Sequence, residues 1–169
     1  MCSSFRERKP RIFDLQVHVA EALTPLRSMR TSNGMGTDIA AIAFCSLLAG
    51  LAVFQLALAL GAPLGRFAWG GGHERLPPNL RIGSLIAVAI YALLATIMLD
   101  RAGLARIFPD PAIASIGAWI AVAYLALGIP MNAISRSKPE RFTMTPIVTL
   151  LFALALFIAL SPAVTTPTA

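Results

Sequence analysis

The sequence predicts an all-α membrane protein, a compact antiparallel bundle of four transmembrane helices. Three observations carry this expectation. The 169-residue chain is 57% hydrophobic and only 13% charged, against about 25% charged in an ordinary soluble domain. Its charged side chains are clumped, so that residues 39–60, 82–99, 111–135 and 142–169 contain none. These runs are continuous rather than alternating, which excludes the strands of a membrane β-barrel. With a mean hydropathy of +0.74 and two cysteines, the chain is not a soluble globule, a disordered segment, a disulfide scaffold or a basic nucleic-acid module.

A hydrocarbon core about 30 Å thick takes about 20 apolar residues at a helical rise of about 1.5 Å. An unpaired backbone amide in lipid costs several kcal/mol, so the runs must be helices. The expected spans are 39–60, 82–104, 112–135 and 144–161. The second run is the shortest and is extended by Asp100 and Arg101, whose polar ends can reach the interface. Ser161 and Pro162 mark the stop of the fourth, leaving 162–169 as a short polar tail. Lipid removes the hydrophobic incentive for helices to associate, so packing must rest on close backbone approach. Small residues at four-residue spacing or its multiple supply it: Ala57, Gly61 and Gly65, then Gly83 and Ala87, Ala114, Ala118 and Ala126, and Ala155 and Ala159.

Residues 1–38 hold nearly half of the charges and no apolar run, so they are neither a span nor a signal peptide. Ile12, Leu15, Val19, Leu23 and Leu26 recur at helical spacing, with Arg11, Asp14, His18 and Glu21 mostly opposite. Two readings follow: an amphipathic helix on the membrane surface, or an extension ahead of a natural start at Met29 or Met35. Orientation follows the positive-inside rule. The first and third loops carry Arg66, Arg75, Arg81, Arg136, Lys138 and Arg141; close to the other face lie Arg27, Arg30, Arg101 and Arg106. The count places both termini outside by a small margin.

Alternating helices gather the in-span polar groups at one face. Gln55 lies near the end of the first span, Ser84 near the start of the second, Asn132 late in the third, and Thr143 and Thr145 early in the fourth. The glycine-rich stretch 61–72, with Arg66, Phe67 and Trp69, adjoins them. Gln55 and Asn132 must find hydrogen-bond partners, either on a neighbouring helix or on a ligand. Pro130 frees the carbonyl of Ala126 and should kink the third helix. Phe67 and Trp69 suit either an interfacial aromatic belt or a loop re-entering over the polar cluster. The candidate ligand-binding set is therefore Gln55, Arg66, Trp69, Ser84, Asn132, Arg136 and Thr145.

Other chemistry is not indicated. No acidic residue lies deep in a span, Cys2 and Cys45 form no C-x-x-C pair, and no nucleophile elbow, zinc or phosphate-loop motif occurs. No cofactor, metal or catalytic residue is expected. The run Phe54, Gln55, Gly61, Ala62, Pro63, Leu64, Gly65, Trp69, Gly70 and Gly71, then Arg81 and Ser84, resembles a group of small bacterial integral membrane proteins. So does Met131, Asn132, Ser135, Arg136, Ser137, Glu140 and Arg141. The resemblance covers residues 39–161 and implies a four-helix protein of the bacterial inner membrane; it carries over no catalytic residue.

The expected function is binding, without catalysis, of a lipid, a small amphipathic molecule or a membrane-protein partner at the Gln55–Asn132 face. Anionic lipid headgroups suit the arginine-rich loops at about 1 kcal/mol per charge. The alternative is an oligomeric transporter or channel, since one slim bundle leaves no wide aqueous path. A lipid-headgroup enzyme would have to rely on His73, Glu74 and the arginines. Nucleic acid is not an expected partner.

Overall fold

A computed structural model describes the backbone of residues 12–162 and the side chains of residues 34–162. Helix α1 (Ile12–Ala59) is followed by two short 3₁₀ turns, Gly65–Phe67 and Trp69–Gly71, then α2 (Pro78–Arg101), α3 (Pro111–Ala133) and α4 (Lys138–Leu160). No strand occurs among the described residues. Four stretches are long and apolar enough to cross a bilayer: Gly34–Ala59, Pro78–Arg101, Pro111–Ala133 and Lys138–Leu160. The chain divides into two units, Met1–Met35 and Gly36–Ala169. The expected amphipathic face of residues 12–26, and Cys2 and His18, lie outside the described side chains.

Helix starts differ from the expected ones because prolines and caps, rather than the last charge, set them. Pro78, Pro111 and Pro139 each occupy the first turn of a helix, where a missing N–H costs nothing. Asp110 caps α3 by accepting from the Ala112 N–H at 2.8 Å, and the Ser137 hydroxyl caps α4 by accepting from the Glu140 N–H at 3.4 Å. Helix α4 therefore begins at Lys138, not 144, and takes in Glu140 and Arg141. The first helix ends in a Schellman turn, Ala62 N–H to Ala57 and Gly61 N–H to Leu58, with Gly61 at φ +90°. Gly61 and Gly65 thus belong to the loop and not to a packing stripe of the first span. The second helix ends the same way at Gly103, φ +79°.

The core is built from Phe44 and Leu48 of α1, Met98 of α2, Ala118 and Ala121 of α3, and Leu151, Ala155 and Ile158 of α4. Small residues set the spacing, as expected: Ala114, Ala118, Ala155 and Ala159 are all buried. A Cβ on Gly117 would lie 3.1 Å from Ile97, and one on Gly128 would lie 3.2 Å from Val148. The outside is as apolar as the inside. Ile39, Val53, Ile120 and Leu127 are each more than 60% exposed, and at most 28% of any span's apolar window is buried. Such a surface is tolerated in lipid and not in water. The protein is a multi-pass, four-helix membrane protein.

At the face holding the second loop, Arg101 does not snorkel outward. Its Nη2 donates to the carbonyls of Ala159, at 3.0 Å, and Ser161, at 2.5 Å, covering the carbonyl end of α4 where a cation is favoured. Asp100 accepts from the Ile107 and Phe108 N–H groups at 2.5 and 2.9 Å and so shapes the short loop into α3.

A candidate ligand cavity beneath the glycine loop

The loop between α1 and α2 folds back onto the bundle end. Ala68 and Leu76 are buried with Leu58 in a second small core, and the Gly65 N–H donates to the Glu74 carbonyl at 3.0 Å, closing the loop on itself. Trp69, Gly70 and Gly71 all have positive φ, at +56°, +78° and +68°. Glycine adopts this geometry freely; a tryptophan there carries strain of about 1–3 kcal/mol. What offsets the strain is the indole's seat. The ring rests on Gly83, where a Cβ would come within 2.6 Å of it, and Nε1–H donates to the buried Ser84 hydroxyl at 3.3 Å.

Glu140 ties the loop to α4. Its Oε2 accepts from the Gly70 N–H at 2.9 Å and from the Ser135 hydroxyl at 2.5 Å. The Ser137 hydroxyl in turn donates to the Arg66 carbonyl at 2.5 Å. Glu140 is only 9% exposed, and two donors on a buried carboxylate are what its desolvation requires.

Under the loop lies a cavity of about 310 Å³, walled by all four helices. Each helix contributes one stripe at helical spacing: Leu48, Leu51 and Gln55 from α1, Ala87, Tyr91 and Leu94 from α2, Tyr124, Gly128 and Asn132 from α3, and Glu140, Met144 and Val148 from α4. Phe67 and Trp69 close it from the loop. Gln55 Oε1 is buried with no hydrogen-bond partner. Asn132 Nδ2 donates to the Gly128 carbonyl at 2.8 Å.

Of the seven residues singled out from the sequence, Gln55, Trp69 and Asn132 line this cavity, and Ser84 reaches it through the Trp69 indole. The other three do not line it. The Arg66 guanidinium stacks 4.8 Å from the Phe67 ring centroid on an exposed residue, and Arg136 is exposed. Thr145 follows Met144, so it points about 100° away around α4 and lines a separate outer groove with Arg141 and Phe142. Glu140 was missed. The spacing Ser137-x-x-Glu140 is a capping-box signature that places a carboxylate at the start of α4. Here it turns from its own helix end to Gly70 and Ser135. Among the described residues no cluster of three His, Cys, Asp or Glu could hold a metal ion. Comparison of the chain with protein-family models, curated proteins and solved structures finds no match in any of the three.

Proposed function

We propose that this protein binds a small amphipathic molecule, without transforming it, in the cavity under the loop, and that it does so in the inner or plasma membrane of a bacterial cell. The observation that carries the reading is the lining. An apolar body formed by Leu48, Leu51, Leu94 and Val148 ends in a few convergent polar groups, Gln55, Asn132 and Glu140, which is the usual make-up of a small-molecule site. A ligand with one polar end and a hydrocarbon body fits that division. The test is native mass spectrometry of the purified full-length chain together with Gln55→Leu and Asn132→Leu. Retained small molecules should diminish in both variants while membrane accumulation stays normal. Unchanged retention in both would refute the pocket. The same spectra report subunit number: a monomer speaks against the oligomeric pore, and a defined oligomer would favour it.

A further inference from the structure

We infer that the cavity's ligand is a lipophilic ammonium ion, a protonated alkylamine in chemical class; this rests on the binding reading above. The polar wall holds two acceptor oxygens that no donor reaches. The Trp69 N–H donates to Ser84 and one N–H of the Asn132 amide to the Gly128 carbonyl, whereas Gln55 Oε1 is buried and unpartnered. The Glu140 carboxylate receives both its donors on Oε2, and no hydrogen bond reaches Oε1 among the described residues. No Lys, Arg or His lines the cavity. An anion would meet a carboxylate with no cation in the cavity wall to oppose it, and a neutral alcohol has one O–H and so reaches Gln55 Oε1 or Glu140 Oε1 but not both. An ammonium brings several N–H donors and a positive charge to the same place. Phe67, Trp69, Tyr91 and Tyr124 add aromatic surface, to which a desolvated cation is attracted through the ring quadrupole.

The experiment uses the full chain carrying Trp119→Phe, in phosphatidylcholine nanodiscs, with Trp69 as the remaining tryptophan. Three probes of one chain length are titrated: decylammonium, decanol and decanoate. Decylammonium should alter Trp69 emission saturably, and more tightly than either of the others by about tenfold or more, the scale expected of one close charge pair in a partly dry site. Glu140→Gln should abolish the preference for decylammonium over decanol. Because Glu140→Gln also touches the loop, Gln55→Leu serves as the second variant; it leaves the Gly70–Glu140–Ser135 contacts intact and should weaken decylammonium severalfold while its preference over decanoate persists. Equal binding of all three probes would overturn the ammonium inference and leave the cavity reading standing. No saturable response to any of them would sink both.

Discussion

At the scale of single residues, Gly83 and Gly71 are two positions where an added methyl group would collide with a neighbouring side chain. A Cβ on Gly83 strikes the Trp69 ring, so Gly83→Val should lift the indole from its seat and separate it from Ser84. The expected cost is about 1–3 kcal/mol, typical of overpacking, read as a lowered thermal midpoint in detergent with a red-shifted Trp69 emission. Gly71 and Gly70 make a controlled pair. At Gly71 a Cβ would sit 2.5 Å from the Ser137 side chain, whereas at Gly70 it meets open space, and both have positive φ. Gly70→Ala should therefore cost about 1 kcal/mol, from backbone conformation alone. Gly71→Ala should cost more and hasten proteolysis between residues 60 and 77.

At the scale of elements, the α4 start carries the most consequence, because one short turn caps the helix and pins the loop. Ser137→Ala removes the cap on Glu140 and the bond to the Arg66 carbonyl together, and should lose about 1–2 kcal/mol. Ser137→Thr should retain most of it. Span number and helix type were legible in the sequence because lipid makes them a matter of run length. So was the grouping of Gln55, Trp69 and Asn132, since alternating helices bring those depths to one face. Helix starts were not legible from charge, because an interfacial first turn tolerates Lys138, Glu140 and Arg141. The place of Glu140 in the site was illegible for the same reason: its partner Gly70 lies 70 residues away, and no local pattern announces a contact of that separation. Arg101 shows the converse, a side chain whose charge suggested an outward reach but which found the carbonyl end of α4 instead.

Across the bundle as a whole, polarity among the described residues is distributed unevenly between the two faces. The face with Arg101 is clasped by backbone contacts, while the other carries the cavity and the loops bearing Arg66, Arg75, Arg81, Arg136, Lys138 and Arg141. The positive-inside rule predicts the cytoplasmic side for that second face. A phosphatase reporter fused after Ala169 should therefore be active and a fluorescent-protein fusion dark; the reverse pattern would invert the assignment. Trp119 is half exposed on α3, so in a Trp69→Phe background brominated acyl chains should quench its emission strongly.

Residues 69–71 share one backbone handedness that is foreign to L-amino acids. Mirror-image chemistry turns this into an advantage. A D-alanine installed by semisynthesis at position 70, which is solvent-accessible, would favour the positive φ already present there. Fewer unfolded conformers would then compete, for a gain of about 0.4–1 kcal/mol, whereas its L-enantiomer at the same atom count would be a loss.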